Sequence, residues 1–250
     1  MEVTRTFAFA AGVIASTGAF AQSTWYTNSF ESGTRGPEWS ANTVINTEAR
    51  PYFTKFNGRY SGGYTELTLS GLPTFLAPPP NGGGGGGGGS GDDPGDGGSG
   101  GDNGGGTGSA NWYRVALSFD FYCIDSWDGS VGYGPDTFTL TANEISLMSY
   151  TFSNQPGCWQ TAPYSPVSSG EWAFNPRWID AIYRNITAEF DYAGGEDLVI
   201  RWADGGLQGL GDESWGIDNI SITYNVVPAP SVAATAMILG SMLIRRRARR

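Results

Sequence analysis

The sequence predicts an all-β fold: a single antiparallel β-sandwich of jelly-roll type, carrying a Gly-rich loop insertion and flanked by an N-terminal signal peptide and a C-terminal hydrophobic helix. Three observations lead there. Short segments alternate apolar and polar residues with period two, Gly, Asp, Asn and Pro turns separate them, and helix-period patterns are few.

The alternation is plainest in "YRVALSFDFYCI", where Val115, Leu117, Phe119, Phe121 and Cys123 fall on one face of an extended chain. "TELTLSGLP", with Leu67 and Leu69, "DTFTLTAN", "EISLMSYTF", "NITAEFDYA", "DLVIRWA" and "WGIDNISITY" behave in the same way. Strands of this number in one chain favour a sandwich. Trp202 in "VIRWA" and Trp215 beside the last strand read as core.

The ends read differently from the middle. "MEVTRTFAFAAGVIASTGAFAQ" has Arg5, an uncharged apolar run and a small-x-small site at Ala19-Phe20-Ala21, the pattern of a secretory signal over residues 1–21 cut by signal peptidase before Gln22. A β-sandwich domain over 22–225 and a sorting or anchor segment over 226–250 would follow. From Ser231 to Ile244 the chain has 14 uncharged, mostly apolar residues. As a helix these span about 21 Å, short of the roughly 30 Å of a bilayer core. Five arginines in the last six positions would stay on the cytoplasmic side, making the segment a transient stop during export.

Within the domain lies an insertion over 78–110, in which 18 of the 28 residues from Gly82 to Ser109 are glycine. Such a composition cannot build a core and predicts a flexible, disordered acidic coil. Residues 22–77 hold too little apolar surface to stand alone. The insertion is therefore expected to be a loop inside one domain, joining two strands that pair. Lengthening a loop from about 4 to about 32 residues costs only roughly 2 kcal/mol of closure entropy.

Composition excludes several chemistries. With the signal and the tail arginines set aside, 8 basic residues face 23 acidic ones, a net charge of about −15 that repels phosphate backbones and disfavours nucleic acid as a partner. The chain has no histidine, which removes the Ser-His-Asp triad and the commonest zinc ligands. Catalysis would have to rest on carboxylates. Glu189 and Asp191 in "EFDYAGGE" partly match the Glu-x-Asp-x-x-Glu of laminarinase-like sandwich hydrolases, but the third acid is replaced by Gly194. A non-enzymatic protein is the expectation, and a secreted glycoside hydrolase with paired carboxylates is the alternative.

Cys123 and Cys158 are an even pair in an exported chain, expected to form a disulfide worth roughly 3–4 kcal/mol in the chain-entropy model; two separate thiols are the other reading. Trp159, Tyr164, Trp172 and Trp178 fall in a loop-rich segment. They are the candidates for stacking on sugar rings, with burial as the competing role. Asp128 and Asp136 flank a Gly-rich turn, where they could bind calcium or simply cap the turn.

Two resemblances extend this reading. Val227-Pro228-Ala229-Pro230, the short apolar helix and the terminal cluster with Arg245, Arg246 and Arg247 resemble the PEP-CTERM sorting signal of Gram-negative-type bacteria, read by exosortase-type enzymes. Ala229 departs from the family's usual Glu. The resemblance implies export, passing membrane insertion and delivery to the cell surface or extracellular matrix, with exopolysaccharide as a partner. Phe30-Glu31, Ser126-Trp127-Asp128-Gly129 and Trp215-Gly216-Ile217-Asp218-Asn219 are similar to segments of secreted jelly-roll, concanavalin-like carbohydrate-binding or MAM-like modules. That second resemblance implies a structural calcium tying the first strand to the last through Glu31 and Asp218, with Asp128 and Asp136 at the same or a second ion. Together they imply a structural or adhesive surface protein that binds carbohydrate.

Overall fold

A computed structural model describes residues 22–48, 50–74, 112–172 and 174–228. The signal segment, the Gly-rich insertion and the tail from Ala229 onward, including Pro230, Arg245, Arg246 and Arg247, lie outside the described residues. Among the described residues there is no helix. The strands are β1 (Ser23–Asn28), β2 (Ile45–Asn46), β3 (Phe56–Tyr60), β4 (Tyr64–Leu69), β5 (Trp112–Asp125), β6 (Thr137–Ala142), β7 (Ile145–Thr151), β8 (Ser168–Gly170), β9 (Asp180–Tyr192), β10 (Leu198–Gly205) and β11 (Glu213–Val227).

They form two antiparallel sheets packed as a sandwich. The larger runs β2-β3-β11-β5-β9-β8, and the smaller β4-β10-β6-β7. One edge of β11 carries two partners: β1 pairs with its second half, Ile220 to Tyr224, and β3 with Trp215 to Ile217. The other edge pairs with β5 over almost the whole length of both strands, from Glu213 opposite Asp125 to Val227 opposite Trp112. Val226 and Val227 therefore complete the last strand, so the sandwich extends two residues past the expected boundary at 225.

The expected pairing of the strands on either side of the insertion is not found. β4 belongs to the smaller sheet and pairs with β10, whereas β5 lies in the larger sheet with β11 on one edge and β9 on the other. Both edges of β5 are thus occupied, and the insertion spans a crossover between sheets.

The period-two face of β5 is the heart of the core: Val115, Leu117, Phe119, Phe121 and Cys123 are buried there against Phe138 and Leu140 of β6 and Ile200 and Trp202 of β10. Burying such side chains contributes about 1.5–3 kcal/mol each. Trp202 and Trp215 are fully buried, as expected. The strands beside β5 do not keep its regular alternation. In β11 the inward residues are Trp215 and Ile217, then Ile220 and Ile222; in β9 they are Tyr183, then Ile186. Each change of parity coincides with a register shift and a positive-φ asparagine, Asn219 at 48° and Asn185 at 54°.

Asp120 lies between these two bulges on β5. Its carboxylate accepts the Asn185 amide at 3.0 Å, the Asn219 Nδ2 at 2.8 Å and the Arg184 guanidinium. One buried acid thus satisfies the Asn185 amide at one bulge and ties the side chain of Asn219 at the other to it. On the outer face of the large sheet a second cluster, Phe53, Phe56, Tyr122, Ile124 and Ile182, is covered by Trp172 and Phe174.

Candidate functional site

The site grows from the end of β5. Beyond Asp125 the chain turns, and Trp127 is buried with its indole donating to the Ser214 carbonyl at 2.8 Å. That anchor fixes the next residue, Asp128, at the mouth of a turn containing Gly129 and Gly132, both in the left-handed region (φ 69° and 70°). Asp136 closes the turn. Its Oδ2 accepts the main-chain amides of Asp128 and of Gly129, the latter at 3.0 Å, and its own amide donates to the Gly129 carbonyl at 2.8 Å. The turn-capping role open to Asp136 from the sequence is thus filled by one of its two oxygens.

Its other oxygen is not so used. Asp136 is fully buried and Oδ1 has no hydrogen-bond partner. Across from it stands Glu213, the first residue of β11, also fully buried, whose Oε2 accepts the Gln208 amide at 2.7 Å. One carboxylate oxygen from each of Asp128, Asp136 and Glu213 lies within 4.8 Å of the others. Among the described residues no lysine or arginine forms an ion pair with any of the three. Burial, reinforced by the neighbouring acids, pushes Glu213 up to about 7 and raises Asp136 as well.

The sequence singled out Asp128 and Asp136 but missed Glu213. Nothing local in "GDESWG" marks it. It becomes visible only through register, because Glu213 is opposite Asp125 and so returns to the turn that follows β5.

The other expected calcium pair differs in the state of its two carboxylates. Asp218 is buried on β11, and its Oδ2 accepts the Tyr122 hydroxyl at 2.8 Å and the Thr54 hydroxyl at 3.2 Å, while Oδ1 accepts the Asn219 amide at 2.8 Å. Glu31 is exposed, and the contact at that residue runs through its main-chain carbonyl to Lys55 Nζ at 2.8 Å. Asp218 is thus already hydrogen-bonded through both oxygens, while the exposed Glu31 carboxylate is not.

Both cysteines are free, so the expected disulfide is not formed. Cys123 faces the core opposite Trp215, whereas Cys158 lies partly exposed with Sγ 3.9 Å from Asp128 Oδ1. Burial and the Asp128 charge raise the Cys158 pKa, so the thiol keeps its proton and donates weakly to the carboxylate.

Cys158 also links the acid cluster to the aromatics. The next residue, Trp159, bridges to Gly129, and its carbonyl accepts the Ser130 amide at 2.8 Å. Its side chain is 73% exposed, and Tyr133 in the same Gly-rich turn is 83% exposed. The chain neighbours of Trp159, Cys158 and Gln160, line a cleft of about 390 Å³ with Asn154, Gln155, Tyr164 and Ile179, and neither Trp159 nor Tyr133 lines it. Gln160 is held there by the Tyr183 hydroxyl, which donates to its Oε1 at 2.9 Å.

Of the four candidate aromatics, then, Tyr164 lines the cleft, and Trp159 falls between two lining residues without lining it itself. Trp172 is instead committed to packing, with its ring 4.4 Å from that of Tyr52 and 6.5 Å from that of Phe53. Trp178 is half-buried in the loop before β9 and does not line this cleft. Glu189 and Asp191 share the exposed face of β9, where Asp191 pairs with Arg114 at 2.8 Å. No protein-family model, curated protein or solved structure matches this chain.

Proposed function

We propose that the chain is an exported, non-enzymatic surface or matrix protein, a jelly-roll sandwich whose work is structural or adhesive and which binds carbohydrate at the cleft beside Trp159. The observation that carries this reading is the 73% exposed Trp159 indole, whose chain neighbours Cys158 and Gln160 line a cleft together with Tyr164 and Gln155. Sugars present C–H faces that stack on aromatic rings and hydroxyls that pair with polar side chains; Gln155 Oε1 is the acceptor here, whereas the Asn154 and Gln160 amides are held by internal hydrogen bonds.

Delivery follows from the two ends. A signal over residues 1–21 directs export, and the Pro228-Ala229-Pro230 segment, the apolar run and the arginines hold the protein in the membrane until an exosortase-type enzyme processes it. Pro228 immediately follows the last strand, so cleavage there would release a complete sandwich.

A pull-down of the full chain on a panel of acidic and neutral exopolysaccharides tests the binding step. Retention that drops at least tenfold in Trp159→Ala and in Tyr164→Ala is expected; equal retention by both variants, or none by the native protein, would overturn it. Mass spectrometry of the secreted form should find a C-terminus near Val227, and an intact arginine cluster would remove the sorting step.

A further inference from the structure

We propose that Asp128, Asp136 and Glu213 bind one divalent cation of the calcium class, which ties the Gly-rich turn after β5 to the first residue of β11. Three features carry it. The carboxylates converge with no basic partner among the described residues, two of them are fully buried, and Asp136 Oδ1 is buried without a hydrogen bond. A buried anionic oxygen lacking any partner is costly, and two further carboxylates close by add like charge to it.

A cation resolves that arrangement, and the spacing admits calcium. Calcium takes oxygen ligands at 2.3–2.6 Å, so two oxygens on one ion lie at most about 4.6 to 5.2 Å apart. The three oxygens here fall within 4.8 Å of one another. Asp128 is the half-buried member, which leaves a solvent side for the waters that complete a coordination shell of six to eight. Three carboxylates and no histidine make a set of hard oxygen donors, which favours calcium over zinc.

Bound there, the ion would fix Gly129 and through it Trp159, the residue bridged to it. The cation site itself does not rest on the carbohydrate reading: it is defined by the acids, and it stands if no sugar binds.

The experiment uses the full chain stripped of metal by chelation. Terbium, a luminescent calcium probe, should be sensitised by tryptophan excitation, because Trp127 adjoins Asp128 and Trp215 is two residues from Glu213. Calcium should displace terbium and raise the melting temperature by about 5–10 °C at a hundredfold excess over Kd. Asp136→Asn and Glu213→Gln should each abolish both responses. Their metal-free melting temperatures should equal or exceed that of the native chain, since each removes a like charge. Asp128→Asn, at the half-buried position, should weaken calcium at least tenfold and serves if either buried variant fails to fold.

Absence of terbium luminescence and of any calcium shift in the native chain would overturn the proposal. So would responses that survive in all three variants, which would assign the ion to another acidic segment such as the insertion with Asp92, Asp93, Asp96 and Asp102. Stabilisation by zinc and not by calcium would overturn the assignment of class.

Discussion

Arg59 donates to the fully buried Asp125 carboxylate at 3.0 Å while its guanidinium lies 4.0 Å from the centre of the Phe174 ring. The same carboxylate accepts the Asn175 amide at 3.0 Å through its other oxygen. One acid at the end of β5 therefore holds both β3 and the loop that covers the outer cluster. Removing the cation would strand a buried anion, which typically costs 3–5 kcal/mol. Arg59→Met should lower the stability of the domain by about that amount in urea titrations. Adding Asp125→Asn should restore a substantial part. If the double variant is no more stable than the single one, the pair is not what supports the loop.

Two tryptophans give opposite expectations. Trp202 is fully buried between Trp39, with ring centres 5.7 Å apart, and Phe119 at 6.0 Å, whereas Trp159 is 73% exposed. Trp202→Ala removes a large core side chain and should cost about 3–5 kcal/mol. Trp159→Ala should change stability by no more than about 0.5 kcal/mol. Thermal or denaturant unfolding distinguishes them directly. A large loss for Trp159→Ala would mean that its loss of carbohydrate retention reflects damage to the fold.

These contrasts mark what could be read from the chain. The alternation of β5, β6 and β10 is visible in the letters because Val115 to Phe119, Phe138 to Ala142 and Leu198 to Trp202 keep period two and burial follows it, whereas from Asp120 on β5 is buried on both faces. The bulges at Asn185 and Asn219 are not visible, since a parity change in "GIDNISI" looks like ordinary variation until Asp120 is seen bridging both. Assignment of β4 and β5 to different sheets depends on which edges β9, β10 and β11 occupy, a long-range matter that no local pattern carries. Trp172 resembles any loop tryptophan in sequence, and only its contact with Tyr52 and Phe53 shows it to be part of a cover. Asp128 and Asp136 were legible as a pair around a turn. Glu213 was not, because it is distant in sequence and joins them through strand register.

Asp218 links pH to stability. Burial, partly offset by hydrogen bonds from Tyr122, the Asn219 amide and Thr54, pushes its carboxyl up from 3.8 to about 6. The folded state thus holds this proton more tightly than the unfolded chain does. Its contribution is fully present below about pH 4 and is lost as pH rises through about 6, the reverse of a salt-bridged acid. Asp218→Asn keeps an oxygen for the Tyr122 and Thr54 hydroxyls and removes the titration. Between pH 4 and pH 7 the native protein should lose about 1–3 kcal/mol more stability than this variant. Parallel pH profiles of unfolding free energy for the two proteins would show Asp218 not to titrate in this window.

Gly129 couples the turn to Trp159 through close backbone approach. It adopts φ 69°, and a Cβ built on it would lie 2.2 Å from the Trp159 carbonyl oxygen and 2.9 Å from the Ser153 Cβ. Neither contact can be relieved by rotating a flexible side chain, because the nearer atom is main chain. Gly129→Ala must therefore move the 158–159 segment away from the turn and break the Ser130 amide bond to the Trp159 carbonyl. Left-handed strain adds about 1 kcal/mol to that cost. The domain should lose about 2–3 kcal/mol, while Gly157→Ala, also at positive φ (82°) but with nothing within 4 Å of its Cβ, should lose only the conformational part. The difference between the two variants isolates the contact. Trp159 fluorescence, compared in Trp159→Phe backgrounds, should shift in Gly129→Ala and stay in place in Gly157→Ala; equal stability losses with no spectral change would separate Trp159 from the acid-lined turn.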